Sequence, residues 1–99
     1  MYSSLKFYRN SNYVLRQVHG SYFLIDITDN YEDGKCRIVE TNEIGAFIWD
    51  SLEKCCYIKD VADKLLSVII GEVNPEDICN DVKDFILYFA DRGLVGKEE

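Results

Sequence analysis

The first forty residues carry the short, dense apolar runs that are typical of β-strands. Residues 13–18 (YVLRQV) are rich in β-branched and aromatic side chains, and residues 22–27 (YFLIDI) form a nearly continuous apolar run. Residues 19–21 between them suit a turn. A polar stretch with an Asp-Gly pair then suits a hairpin loop before a third strand at residues 36–41. The pattern predicts three antiparallel strands.

From Asn42 onward the apolar positions recur with the spacing of an α-helix. Asn42 can cap the first helix. The apolar stripe of this helix is Ile44, Phe47, Ile48 and Leu52, with Trp49 beside it. The second helix has a longer stripe, made of Ile58, Val61, Ala62, Leu65, Leu66 and Ile69. Gly71 ends it, because glycine adopts the backbone conformation of a helix C-terminus without strain.

The third helix has the clearest start in the chain. Asn74 can cap it, Pro75 fits the first helical position, and the acidic residues that follow suit the positive end of the helix dipole. Its predicted buried stripe is Ile78, Val82, Phe85, Ile86 and Phe89. Gly93 ends the helix, and residues 94–95 are expected to pack back on the core. Residues 1–12 and 96–99 are expected to be frayed, which leaves residues 13–95 as a single domain.

Length and composition agree with one small domain. The chain has 99 residues, of which 47% are hydrophobic and 29% charged, so it can bury one core but has little left for an enclosed active site. A three-stranded antiparallel sheet followed by three helices makes an α+β domain, whose helical part resembles a winged helix-turn-helix. No apolar run reaches the ~20 residues of a membrane helix, and the N-terminus lacks a signal-peptide pattern. A cytoplasmic location is therefore expected.

The charge balance argues against polyanionic partners. Eighteen acidic and 11 basic residues give a net charge of −7, and the basic residues are scattered singly along the chain. Nucleic-acid binders normally gather their basic residues on one face, because neutralising phosphate supplies most of the affinity. Nucleic acids and anionic membranes are therefore not expected as partners.

No pattern of catalytic or metal-binding residues stands out. The four cysteines could suggest disulfides or a metal site, but Cys55 and Cys56 are adjacent and His19, the one histidine, lies far from them in the sequence. Reduced thiols that fill apolar space are the favoured alternative. The carboxylates fall where they cap helices or face water, and the glycines form no phosphate loop. We expect no catalytic residue, metal or cofactor.

Gly45 is unusual among the glycines because it lies in the first turn of a helix. Glycine there costs up to ~1 kcal/mol relative to alanine. Close approach of a neighbouring backbone or side chain would explain it, and such an approach is expected at this position.

Several short motifs follow one another in a familiar order. They are NEIGAFIW at residues 42–49, Leu52, Val61-Ala62, Leu65, the segment at residues 81–86, and GLV at residues 93–95. This order, which covers residues 13–95, resembles the PqqD-like proteins, also called RiPP recognition elements. Thr41 stands where the family usually has leucine, and the second helix lacks the common Thr or Ser cap. A divergent relative outside the pyrroloquinoline-quinone pathway is therefore expected.

The resemblance implies a non-catalytic protein that binds the leader of a ribosomally made precursor peptide. Such a protein presents the peptide to a modifying enzyme, often a radical S-adenosylmethionine enzyme. The leader docks as an added strand on the edge of the third strand, beside a groove shared with the third helix. That edge is expected at Cys36, Arg37, Ile38, Val39, Glu40 and Thr41. The more apolar flank of the third helix is expected to line the groove, with Cys79, Lys83, Ile86, Leu87 and Ala90.

Several alternatives stay open from the sequence. Ile86 and Cys79 could be plain core residues, with Leu87 a surface leucine. The helical part could belong to a winged-helix DNA-binding regulator, although the net charge is unfavourable for one. The chain could also be an accessory subunit that only stabilises an enzyme. An exposed strand edge could, finally, pair with its own copy in a homodimer.

Overall fold

Five strands and three helices make up residues 5–28, 38–53, 57–69 and 71–98, the part of the chain that this computed structural model describes. The strands are β1 (Lys6–Arg9), β2 (Tyr13–Val18), β3 (Ser21–Asp26), β4 (Ile38–Thr41) and β5 (Val95–Glu98). The helices are α1 (Glu43–Ser51), α2 (Ile58–Val68) and α3 (Pro75–Asp91). The predicted α+β class, a three-stranded antiparallel sheet followed by three helices, is confirmed.

The main sheet contains β2, β3 and β4 in that order, with one face on the core. His19 and Gly20 form the tight turn between β2 and β3, with the positive φ values of 51° and 82° that such a turn requires. Leu24 in β3 is fully buried, and its partners across the sheet, Leu15 and Val39, pack against the same core. Side chains that alternate with these three point the other way. They form what we call the outer face of the sheet: Val14, Arg16, Phe23, Ile25, Ile38 and Glu40.

α1 and α3 begin where the sequence predicts, because both expected caps form. Asn42 accepts a hydrogen bond from the Gly45 N–H at 2.8 Å, and Asn74 accepts one from the Glu76 N–H at 2.9 Å. These bonds satisfy backbone donors that a helix start leaves free. None of the described helices is both long and apolar enough to cross a membrane.

The buried face of α1 is rotated from the predicted stripe. Ile44, a predicted core residue, is 45% exposed. Trp49 is buried instead, and its indole N–H donates to the carbonyl of Leu94 at 3.1 Å. A buried indole needs such an acceptor, and the segment after α3 supplies it. Leu94 itself is fully buried, so this segment packs back on the core as predicted.

The expectation that the chain ends are frayed is wrong for their described residues. β1 pairs antiparallel with β5, from Lys6 opposite Glu98 to Arg9 opposite Val95. Phe7 is fully buried in the core between these ends. Burying an aromatic side chain stabilises by roughly 1.5–3 kcal/mol, and this burial holds the N-terminal strand in place.

Candidate functional site

β4 is an edge strand, and β3 is its one partner within the described part of the chain. The two strands pair from Tyr22 opposite Thr41 to Ile25 opposite Ile38. β5 lies in the other sheet with β1, so the described C-terminal strand does not cover β4. An open edge of this kind carries backbone donors and acceptors that can pair with another chain.

The register shows which backbone groups of β3 form hydrogen bonds with β2 and which form them with β4. The N–H of Ile27 donates to the carbonyl of Asn12 at 2.8 Å, so these two opposed residues form a hydrogen-bonded pair. Hydrogen-bonded pairs alternate with non-bonded pairs along an antiparallel ladder. Residues 23 and 25 therefore bond to β2, which leaves residues 22 and 24 to bond to β4.

The same alternation identifies the groups that β4 leaves open. Val39 and Thr41 lie opposite residues 24 and 22, so their backbone groups are used on β3. Ile38 and Glu40 direct their N–H and C=O groups to the other side, where no described strand lies. The described edge therefore presents four backbone groups, a donor and an acceptor on each of these two residues.

A groove of about 360 Å³ runs between β4 and α3. Its walls are Glu40, Thr41 and Asn42 on one side and Asp84, Phe85, Tyr88 and Phe89 on the other. The helical wall is a connected aromatic surface, because the ring of Phe89 lies 6.0 Å from that of Phe85 and 5.8 Å from that of Tyr88. Tyr88 is 39% exposed, and the guanidinium of Arg92 lies 3.6 Å from the centre of its ring. Apolar aromatic surface thus lies directly beside the open edge.

Gly45 allows α1 to approach this groove closely. A methyl group on Gly45 would overlap the hydroxyl of Thr41 and would lie 3.0 Å from Cε1 of Phe85. The close approach that the sequence predicts at this glycine is confirmed. Its two neighbours are walls of the groove, so the helix start and the groove are packed as one unit.

Gly45→Ala should destabilise the domain by about 1–2 kcal/mol, because overpacking costs about 1–3 kcal/mol and the better helix propensity of alanine offsets only part of it. Urea unfolding followed by circular dichroism measures this change. In a Thr41→Ala background the penalty should be smaller, because the overlapping hydroxyl is gone. An equal penalty in both backgrounds would show that the overlap is not its cause.

The groove is lined by the flank of α3 opposite to the one the sequence suggested. Ile86 is fully buried and Cys79 is half-buried against the core, so the alternative of plain core residues describes both. Lys83, Leu87 and Ala90 are half-buried and do not line the groove. The apolar stripe fixes which side of α3 is buried but not which flank meets β4, and the prediction chose the more apolar flank.

The predicted edge residues are only partly placed in the groove. Glu40 and Thr41 line it, whereas Ile38 and Val39 lie on β4 beside it. Cys36 and Arg37 lie outside the described residues. Phe85 was predicted in the buried stripe, and Asp84 and Tyr88 lie on the flank that the prediction did not choose. The signal that could have identified this flank is the pair of aromatic residues Phe85 and Tyr88, taken together with Gly45, which requires a close neighbour.

A larger cavity, of about 620 Å³, lies at the other edge of the sheet beside β2. Three of its charged lining residues, Arg9, Asp50 and Glu53, are already paired with one another. Arg9 lies 3.1 Å from a carboxylate oxygen of Asp50 and 3.5 Å from one of Glu53, and it stacks 5.0 Å from the ring of Trp49. A ligand there would have to compete with these contacts.

The backbone edge of β2 is also partly used by its own chain. The N–H of Tyr13 donates to the carbonyl of Asn10 at 3.1 Å. The carbonyl of Leu15 accepts a bond from its neighbour Arg16 at 2.9 Å. Local capping of this kind protects an edge from pairing with another chain. The β4 edge, with its aromatic groove, is therefore the better candidate site.

The described residues at the site offer backbone hydrogen-bonding groups and aromatic rings. Cys79 is a half-buried free thiol that packs against the core. Within the described ranges, no three His, Cys, Asp or Glu side chains are placed to hold a metal ion. Backbone donors and acceptors beside aromatic rings are suited to holding an extended polypeptide.

Comparison with known proteins gives the fold and then the family. The complex "TbiB1 in Complex with the TbiA(beta) Leader Peptide" has a TM-score of 0.66 and 17% identity over 89% of this chain and 93% of that one. "Lasso peptide synthetase B1 complexed with the leader peptide" has a TM-score of 0.67 and 21% identity over 91% and 96%. No curated protein matches the sequence.

The sequence match lies in the part of the chain that contains the groove. Residues 28–95, more than half of the chain, match the family described as "Coenzyme PQQ synthesis protein D (PqqD)". None of these matches supports the alternative of a winged-helix DNA-binding regulator. The predicted resemblance is confirmed, and the chain belongs to the PqqD family.

Proposed function

We propose that this protein binds the leader of a ribosomally synthesised precursor peptide by strand addition at β4 and presents it to a modifying enzyme. The observation that carries the proposal is the open edge of β4 beside an aromatic groove. Membership of the PqqD family supports it. So do the two solved structures of similar fold, both of which are complexes with leader peptides.

Backbone pairing alone is too weak to hold a flexible peptide. The four open groups of Ile38 and Glu40 contribute about 1 kcal/mol each, or about 4 kcal/mol in all, which corresponds to a Kd of about 1 mM. Ordering the peptide offsets part of that gain. An aromatic or aliphatic side chain that buries about 200 Å² of apolar surface in the groove adds about 5 kcal/mol. The edge therefore sets the geometry, and the groove supplies most of the affinity.

The geometry of β4 divides the residues of an added strand into two sets. Residues opposite Val39 and Thr41 point to the core side of the sheet and enter the groove. Residues opposite Ile38 and Glu40 point to the outer face. An aromatic or aliphatic residue in the first set would contact Phe85 and Tyr88.

Binding can be tested with peptides selected from a displayed random library on the purified protein, and with one pair of variants. Tyr88→Asp should weaken binding of a selected, dye-labelled peptide by about tenfold or more, because it places a charge on the aromatic wall. Leu87→Asp should change the Kd by less than about twofold, because Leu87 lies on the other flank and substitutions away from an interface have small effects. Fluorescence anisotropy measures both Kd values.

Circular dichroism and thermal melts establish that both variants are folded, and Leu87→Ser replaces Leu87→Asp if the charge proves too disruptive. A larger loss for the Leu87 variant would assign the groove to the flank that the sequence suggested. Failure to select any common peptide motif would favour the alternative of an accessory subunit that only stabilises an enzyme.

Finer parts of the proposal stay predictions. They are the absence of catalytic activity, a cytoplasmic location and a modifying enzyme as partner. A radical S-adenosylmethionine enzyme is one candidate for that partner. Homodimer formation through β4 also stays a prediction. It would use the same backbone groups as the leader, so added peptide should dissociate such a dimer in sedimentation experiments.

A further inference from the structure

We infer that the leader is recognised on both faces of the sheet, through a basic residue opposite Glu40 and an aliphatic residue opposite Ile38. This inference rests on the proposed strand addition and specifies the side chains that the added strand carries. It concerns the residues that point away from the groove.

A charged row crosses the outer face and ends at the open edge. Arg16 lies opposite Phe23, and Phe23 lies opposite Glu40. Directly opposed residues point to the same face, so an arginine, a phenylalanine and a glutamate follow in order across three strands. A fourth strand would place its own residue next to the carboxylate of Glu40. Opposite charges are favoured at such a position, and like charges are disfavoured.

Glu40 has no described cation as an ion-pair partner. The ion pairs between described residues join Arg9 to Asp50 and Glu53, and Arg92 to Asp91. Asp84, a carboxylate on the helical wall of the groove, is absent from these pairs as well. Both carboxylates belong to a chain with a net charge of −7. A peptide cation opposite Glu40 therefore meets a carboxylate that no described cation pairs with, in a chain of net negative charge.

An apolar row runs parallel to the charged one. Val14 lies opposite Ile25, and Ile25 lies opposite Ile38 at the edge. The first two are half-buried, whereas Ile38 is 55% exposed, so the row is uncovered where an added strand would extend it. An aliphatic residue next to Ile38 would cover that surface, and β-branched residues suit such cross-strand contacts.

The two rows give the peptide a defined spacing. Ile38 and Glu40 are separated by Val39, whose side chain points to the core side of the sheet. The basic and the aliphatic peptide residues are therefore two positions apart, and the residue between them enters the groove. The expected motif is a basic, an apolar groove-facing and an aliphatic residue in sequence, or the reverse order if the strand runs the other way.

Selections from a displayed random peptide library test this motif with the wild-type protein, Glu40→Lys and Glu72→Lys. Glu72 is an exposed carboxylate between α2 and α3, outside the groove, and it serves as the matched control. Wild type and Glu72→Lys should enrich Lys or Arg two positions from Val, Ile or Leu. Glu40→Lys should enrich Asp or Glu at the same position. Ile38→Glu should replace the aliphatic preference by a basic one.

Anisotropy with one selected peptide gives the size of the effect. Glu40→Lys should bind the wild-type peptide about three- to tenfold more weakly, and a peptide with its basic residue changed to Glu should recover the loss. If Glu40→Lys is misfolded, Glu40→Gln should lose the charge preference instead. An unchanged basic preference in the Glu40 variants would overturn the inference and leave strand addition standing. Failure of every protein to enrich a common motif would overturn strand addition, and the inference with it.

Discussion

Replacing Glu40 by proline should strongly weaken peptide binding and leave the domain folded. The N–H of Glu40 points to the open side of β4, so proline there removes no bond between β3 and β4. It removes a donor to the peptide and leaves a peptide carbonyl without a partner. The loss of about 2–4 kcal/mol corresponds to a roughly 30- to 1000-fold weaker Kd. Anisotropy with a library-selected peptide measures it.

Val39→Pro is the matched control for this prediction. The N–H of Val39 bonds to β3, so proline at this position should break the ladder and destabilise the fold by about 3 kcal/mol. The two prolines should therefore differ sharply in thermal melts, with Glu40→Pro close to wild type. Retained binding by Glu40→Pro, or equal destabilisation by both prolines, would show that the assigned register or the strand-addition geometry is wrong.

Phe7→Ala should destabilise the domain by about 3–5 kcal/mol, the usual cost of removing a buried aromatic side chain. That is a large part of the roughly 5–15 kcal/mol that stabilises a typical domain. Phe7 is fully buried, and it is the residue through which β1 reaches the core. Urea unfolding, followed by far-ultraviolet circular dichroism, measures the free energy of unfolding.

Lys6→Ala serves as the control next to it in the sequence. Lys6 is exposed, so this change should stay within about 0.5 kcal/mol of wild type. Comparable small effects for both variants would mean that the N-terminal segment contributes little to the fold, as its sequence suggests. A large effect confined to Phe7 would show that this strand is an integral part of the domain.

Most elements of the fold are predictable because each has its own local signal. Residues 13–18 were predicted as a strand and are β2. Asn42 and Asn74 were predicted as helix caps and act as caps. The pairing of β1 with β5 carries no such signal, because it joins two four-residue strands from opposite ends of the chain. A single buried phenylalanine among polar neighbours does not distinguish a strand from a loose end.

The candidate site is predictable in part for the same reason. Strand order suffices to propose β4 as an edge, and the alternation of residues suffices to divide it into two faces. The flank of α3 that meets β4 depends on how the helix crosses the sheet, which its own stripe does not specify. Contact between Thr41, Gly45 and Phe85 joins three elements, and it appears only once the chain is folded.

The pairing of Lys6 with Glu98 has a consequence for how this domain can be joined to others. Both described ends leave the molecule side by side, from a sheet separate from the one that contains β4. Domains with adjacent ends tolerate insertion into a surface loop of a host protein, because the host loop need only widen slightly. The described domain is therefore suited to insertion into a host protein, with the β4 edge left open for a peptide.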